Sequence, residues 1–143
     1  MITHYNILLA RQTEGRELEP QRVAAGVAAL LADPAKGTYY VAEREGQVIG
    51  QLLVTLEWSD WRNGWFWWIQ SLYVTQDWRG CGVFTALFRH LKDQASRRTD
   101  VCGLRLYVEN ENHRARSTYE RLGMRRTSYH LYELELLRAL EAG

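Results

Sequence analysis

The sequence predicts an α+β fold, a mixed β-sheet with helices packed on its faces, for a chain of 143 residues. Three observations predict it. Apolar residues recur at strand spacing in some runs and at helical spacing in others, and the two patterns alternate along the chain. The composition, 46% hydrophobic and 24% charged, is that of an ordinary globular protein and excludes disordered and fibrous classes. The length suits one domain, read as residues 1–143 without linker, repeat or low-complexity stretch.

His4 to Ala10 reads as a first strand. Pro20 suits the first turn of a helix, which Asp33-Pro34 stops because the residue before proline disfavours the helical region. Tyr39 to Glu43 and Val48 to Leu56 form an antiparallel hairpin around the tight turn Glu45-Gly46, and Gly64 separates the second strand from a third run. That run, Trp65 to Val74, is almost continuously apolar, as expected of a central strand covered on both faces. Side-chain alternation puts Trp65 and Trp67 on one face, and Phe66, Trp68, Gln70 and Leu72 on the other. After Arg79-Gly80-Cys81-Gly82, the stripe Phe84, Leu87, Phe88, Leu91 and Ala95 marks an amphipathic helix. Val101 to Val108 is the next strand. Asn112 caps a short helix carrying Ala115, Tyr119 and Leu122 that ends at Gly123, and Arg126 to Leu137 returns to an extended pattern. The predicted order is strand, helix, three strands, helix, strand, helix, strand.

Lys and Arg number 18 against 17 Asp and Glu, so the net charge of +1 supplies no general attraction to nucleic acid or anionic lipid. The apolar run Val23 to Ala32 is too short for a membrane span, and Glu17 and Glu19 before it do not resemble the basic start of a signal peptide. Cys81 and Cys102 make no disulfide framework, and no Cys/His cluster has metal-ligand spacing. A cytoplasmic protein without metal is expected, with neither nucleic acid nor membrane as partner.

A glycine-rich turn between a buried strand and a helix presents unpaired N–H groups at the positive end of the helix dipole, a natural place for phosphate. The G-x-x-x-x-G-K-[ST] and G-x-G-x-x-G patterns are absent. The segment Ile69-Gln-Ser-Leu-Tyr-Val-Thr-Gln-Asp-Trp-Arg-Gly-Cys-Gly-Val-Phe-Thr-Ala-Leu-Phe instead resembles the acetyl-CoA-binding core of the GNAT acyltransferase superfamily, where a central strand leads into an [RQ]-x-x-G-x-[GA] turn. Arg79 is its first residue and Gly82 its inner glycine, while Phe84 replaces the final small residue. A second segment, Val108-Glu-Asn-Glu-Asn-His-Arg-Ala-Arg-Ser-Thr-Tyr-Glu-Arg-Leu-Gly-Met, is similar to the family's N-x-x-A-x-x-x-Y-x-x-x-G-[FM], with Asn112, Ala115, Tyr119 and Gly123 on its positions.

The resemblance implies a GNAT-like mixed, mostly antiparallel sheet, splayed between its fourth and fifth strands, with the pantetheine arm of acetyl-CoA in the gap. It implies that main-chain groups of Leu72, Tyr73 and Val74 hold the acyl and pantetheine portions. The amides from Arg79 through Gly80, Cys81, Gly82 and Val83 to Phe84 would hold the pyrophosphate, and Asn112 and Tyr119 would complete the cofactor site. The implied activity is acetyl-CoA-dependent N-acetyl transfer to a small-molecule or peptide amine by direct attack. A homodimer is the assembly allowed for.

An amine with a pKa of about 10.4 is mostly protonated at neutral pH, so a base is useful. Where related enzymes can carry one, this chain has Trp68 and Gln70, which would line the acceptor site. Among carboxylates near the acceptor end, Glu57 is favoured over Glu109, because Glu109 and Glu111 flank a helix start where acidic residues are stabilising anyway. The resemblance assigns protonation of the leaving thiolate to Tyr119, although a stripe aromatic also reads as packing. Cys81 has no adjacent base to make it a nucleophile. The histidines, His4, His90, His113 and His130, sit on different elements. The absence of a titratable group at Trp68 and Gln70 keeps a noncatalytic acyl-CoA sensor of the same fold as the alternative. A third reading makes the tryptophans between Trp58 and Trp78 a platform for single strands or sugars, and the near-zero charge disfavours the former.

Overall fold

In a computed structural model the chain is described over residues 1–136. It forms two compact units, Met1–Tyr107 and Val108–Gly143. The first unit opens with a helix, α1 (Ile2–Glu14), where the sequence predicts a strand over His4–Ala10. The apolar residues Ile7 and Leu9 fit strand alternation, but Tyr5, Leu8 and Leu9 fit a helical face equally, and so short a run does not distinguish the two. Gly15 terminates the helix: at φ 63 it is left-handed and returns its N–H to the carbonyl of Ala10. α2 (Pro20–Ala32) starts at Pro20, as predicted, with the Glu19 carboxylate accepting from the amides of Gln21 and Arg22.

β1 (Thr38–Arg44) and β2 (Gln47–Ser59) form the predicted hairpin, with Glu45 and Gly46 both at positive φ in its two-residue turn. β3 (Gly64–Val74) pairs antiparallel with β2, and β4 (Val101–Leu106) pairs parallel with β3, giving the order β1-β2-β3-β4. This is the predicted mixed, mostly antiparallel sheet. Because α1 replaces the expected first strand, the predicted fourth and fifth strands are β3 and β4. α3 (Val83–Ser96) lies between them in sequence and buries Val83, Leu87, Phe88, Leu91 and Ala95, with Val83 where the sequence stripe places Phe84. Leu52 of β2 and Leu91 of α3 are fully buried. The face of β2 that carries Gly50 and Leu52 meets α3, and an added Cβ at Gly50 would lie 2.7 Å from Val83 Cγ1. The opposite face, which carries Gln51, meets α1: Tyr5 donates its hydroxyl proton to the Val48 carbonyl, and Gln51 Nε2 donates to Asn6 Oδ1.

The second unit carries α4 (His113–Arg121), capped by Asn112 Oδ1 accepting from the amide of Ala115 and ended by Gly123 at φ 94. The strand predicted over Arg126–Leu137 is not formed across residues 126–136, and Leu137 lies outside the described residues. Tyr129, Leu131, Tyr132, Leu134 and Leu136 are exposed. Apolar alternation makes a segment ready for a sheet, but only ladder bonds to a neighbour make it a strand, and it has no ladder partner among the described residues.

Candidate active site

The site begins with an irregularity in β3. Leu53 pairs with Gln70 and Gln51 with Tyr73, so one residue of β2, Leu52, is matched by two of β3, Ser71 and Leu72, and Ser71 takes up the difference at φ 50. This is a β-bulge. Leu53 and Gln51 share a face of β2, so Gln70 and Tyr73 share a face of β3. The alternation that places Leu72 beside Trp68 and Gln70 is therefore broken at Ser71, and Tyr73 continues that face instead. Tyr73 is buried there against the ring of Tyr5, 4.9 Å between centroids. Fully buried Gln51 donates from Nε2 to the Ser71 carbonyl at 3.2 Å, while its Oε1 has no hydrogen-bond partner.

On its other edge, β3 pairs with β4 only from Trp65 to Ile69, whereas β3 itself continues to Val74. The main chain from Gln70 to Val74 thus runs past the end of the parallel ladder, at the place where the sequence analysis puts the splay. The strand then enters a 3-10 turn, Gln76–Trp78, and the glycine turn. Gly80 and Gly82 are both left-handed, at φ 76 and 83. Gly82 is the N-cap residue of α3 and gives it no side-chain cap, and a Cβ on Gly82 would meet nothing within 4 Å. First-turn amides have no carbonyl one turn back, so this open helix start suits an anion. The Arg79 side chain turns away from it, with Nε donating to the Val74 carbonyl and Nη2 to Gln12 Oε1, the guanidinium lying over Tyr73. Arg79 therefore ties the turn to α1 and to the end of β3. Cys81 is exposed at the turn.

Upstream on the α1 face, Glu57, Trp68 and Gln70 come together. Glu57 Oε2 accepts from Trp68 Nε1 at 3.1 Å, and Gln70 Nε2 donates to Thr55 Oγ1 at 2.6 Å. Sequence reasoning missed two members. Arg105, the register partner of Trp68, donates from Nη1 to Glu57 Oε1 at 2.9 Å and lies 3.5 Å from the Phe66 ring centroid. Tyr107 stacks on Trp68 at 4.5 Å. Gly103 makes this packing possible, because a Cβ there would sit 2.7 Å from Phe66 Cε1. The available signal was the alternation of Gly103, Arg105 and Tyr107 in a strand beside the aromatic one. Trp65 and Trp67 lie on the opposite face, as expected, lining a cavity of about 450 Å³ with Val54, Leu56, Tyr40, Gln94 and Arg98, away from Glu57 and Trp68.

Asn112 and Tyr119 belong to the second unit, as do exposed Glu109 and Glu111. Asn112 spends its Oδ1 on the α4 cap, and burial pushes the Tyr119 phenol above its ordinary value. Among the described residues no group of three His, Cys, Asp or Glu could hold a metal ion, and no helix is long and apolar enough to cross a membrane.

Residues 3–124 match the sequence profile of the Acetyltransferase (GNAT) family. An uncharacterized N-acetyltransferase of Methanocaldococcus jannaschii is 37% identical over 87 residues, 61% of this chain and 52% of that protein, so the chain spans about half the length of this relative. The crystal structure of a possible acetyltransferase from Clostridium difficile 630 superposes with a TM-score of 0.88 at 45% identity, covering 94% of this chain and 89% of that one. A predicted acetyltransferase of Clostridium acetobutylicum, solved with acetyl-CoA, shares the fold at a TM-score of 0.74 and 20% identity over 96% of this chain and 89% of its own. With the bulged central strand, the interrupted parallel ladder and the glycine turn at the start of α3, these matches establish that the chain belongs to the GNAT acetyltransferase family.

Proposed function

We propose that the protein transfers an acetyl group from acetyl-CoA to the primary amine of a small molecule or peptide, by direct attack and without a covalent enzyme intermediate. The observation that carries this reading is the run of β3 main chain from Gln70 to Val74, unpaired with β4 and leading into the Gly80–Gly82 turn. The residues present fit acetyl-CoA. Main-chain groups of Leu72, Tyr73 and Val74 would hold the acyl and pantetheine portions, and the amides from Arg79 to Phe84, Gly82 and Val83 among them, the pyrophosphate. Asn112 and Tyr119 are assigned to the same ligand by their place in the family segment. The thioester supplies the activated acetyl group. Trp68 and Gln70 line the acceptor side, Glu57 takes the proton of the amine directly or through water, and Tyr119 is the hydroxyl donor to the departing sulfur. Exposed thiols at Cys81 and Cys102 suit a reducing cytoplasm, where we place the protein, as a monomer or a homodimer.

One observation favours a second reading, an acyl-CoA sensor without catalysis. Both oxygens of Glu57 are already engaged, one accepting from Trp68 Nε1 and the other from Arg105 Nη1, so neither is free of a donor when an amine arrives. A screen of primary amines for release of free CoA separates the two. Release with any amine supports transfer. Tight acetyl-CoA binding with no release across the screen supports the sensor.

A further inference from the structure

The guanidinium of Arg105 is held as though to receive a second carboxylate. Of the five arginine–carboxylate pairs in the first unit, three are joined by hydrogen bonds and allow a comparison. In Arg11–Glu17 and in Arg98–Asp100 the planar fork of Nε and Nη2 grips both oxygens of the carboxylate, at 2.8 and 3.0 Å in the first and 2.9 Å twice in the second. Arg105, with the more buried side chain, 25% exposed against 53% and 55%, gives Glu57 only Nη1. Its Nε and Nη2 make no hydrogen bond with any described residue, and neither is among the side-chain nitrogens buried without a partner, so both are open to solvent. The guanidinium plane is fixed from below by Phe66, at 3.5 Å, over the bare backbone of Gly103. A fixed, half-dry fork is the geometry that binds a carboxylate bidentately, and the rigid plane means little entropy is lost on binding.

Its place on the sheet decides what would use it. Arg105 is paired with Trp68, one step before the parallel ladder ends at Ile69 and Leu106. It is on the Glu57 and Gln70 face and upstream of the glycine turn, so it belongs with the acceptor rather than with the cofactor phosphates. Glu57 and Arg105 together offer one negative and one positive group 2.9 Å apart beside the aromatic surface of Trp68 and Tyr107. We propose that the acceptor is an amine that also bears a carboxylate, and that the Nε–Nη2 fork of Arg105 binds this carboxylate while Glu57 faces the amine. Arg105 is then a specificity-determining residue. The proposal rests on the acetyl-transfer reading, but its binding half can be tested apart from transfer.

The probes are amino acids and their carboxamides, compared at about pH 6, where the α-amines of both are protonated and the carboxylate is the difference in charge. Titrated into the full chain while the Trp68 indole N–H resonance is followed, assigned with Trp68→Phe, the acids should bind about 10- to 100-fold more tightly than the amides, the range for a hydrogen-bonded charge. Arg105→Gln should bring the ratio near 1. Arg105→Lys, which keeps the charge and loses the fork, should retain only part of it and guards against a folding defect. Arg105→Gln should lower the acid-to-amide ratio of kcat/KM for CoA release by the same factor, whatever either variant does to overall rate through Glu57. Equal binding of acids and amides by the wild type, or an unchanged ratio in Arg105→Gln, overturns the proposal. Selective acid binding with no CoA release sustains the Arg105 assignment and sinks acetyl transfer, whereas release at equal rates from acids and amides does the reverse.

Discussion

The indole N–H of Trp68 and the carboxylate of Glu57 are joined by a 3.1 Å hydrogen bond between β3 and β2. Trp68 cannot take a proton itself at the strand position where related enzymes can carry a base, but it fixes the carboxylate that could. Arg105 completes the hold from β4, so three strands converge on one side chain. Each Glu57 oxygen has a further lone pair, so an amine proton or a bridging water can still be accepted.

If Glu57 accepts the proton, Glu57→Gln should leave acetyl-CoA affinity intact and lower turnover by about 10²–10⁴ at neutral pH, the usual range for loss of a general base. The defect should narrow as pH rises toward the amine pKa, because more acceptor then arrives neutral. A variant with the wild-type rate and pH profile removes Glu57 from the reaction.

Gly82 tests the cofactor turn. Saturating acetyl-CoA at about 100 times its Kd should stabilise the folded protein by about 2.7 kcal/mol, read as a rise in Tm. Gly82→Asp should abolish that rise, because it brings negative charge to the anion site and strains a φ of 83. Gly82→Ala carries the strain alone, about 1–2 kcal/mol, and has open space for its methyl, so it should keep a measurable ligand shift. No shift in the wild type would remove the cofactor assignment.

Gln51 tests the bulge. Gln51→Leu strips the donor from the Ser71 carbonyl and from Asn6 Oδ1, at a cost of about 1–3 kcal/mol, partly offset because the unpartnered Oε1 also disappears. A larger effect is expected on KM for acetyl-CoA, since the main chain that Ser71 re-aims would lose its anchor. Amide exchange at Ser71 and Leu72 should quicken. Lost stability with unchanged KM and unchanged exchange would reduce Gln51 to packing.

The hairpin, the central strand, α3 and the glycine turn were legible because each has a local cause: Glu45-Gly46, the aromatic run, the apolar stripe and Gly80 with Gly82. The bulge was not. Nothing in Gln70-Ser71-Leu72 announces that Ser71 adopts φ 50, because the conformation is imposed by pairing with β2 and by Gln51 from another strand. Arg105 was hidden for a related reason, since its role follows from being placed beside Trp68 by a parallel register that spans α3. α1 was misread where seven residues fit both periods, and the segment after Arg126 has strand chemistry without a described ladder.

Tyr119 supplies the last test, through its buried phenol. Burial disfavours the phenolate and raises the pKa above its ordinary value of about 10, so the group is protonated throughout the neutral range and remains a donor. Full transfer to a thiolate of pKa about 8.5 would then run uphill by at least about 2 kcal/mol. A hydrogen bond that strengthens as charge gathers on sulfur is the cheaper course, and Tyr119→Phe should lower turnover by about 10- to 100-fold, as for a charged hydrogen bond, with acetyl-CoA affinity nearly unchanged. The same burial links folding to pH. The folded protein holds this proton more tightly than the unfolded chain, so the contribution is fully present below about pH 10 and is lost as pH climbs through the raised folded-state value. Tyr40, also raised by burial against the opposing influence of Arg98, adds a loss of the same sign. Denaturant unfolding at neutral and at strongly alkaline pH should therefore show a smaller alkaline loss in Tyr119→Phe than in the wild type. Equal losses would mean that the phenol is no more buried in the folded state than in the unfolded one. Unchanged turnover, with the chemical step shown to limit the rate, would leave Tyr119 as packing.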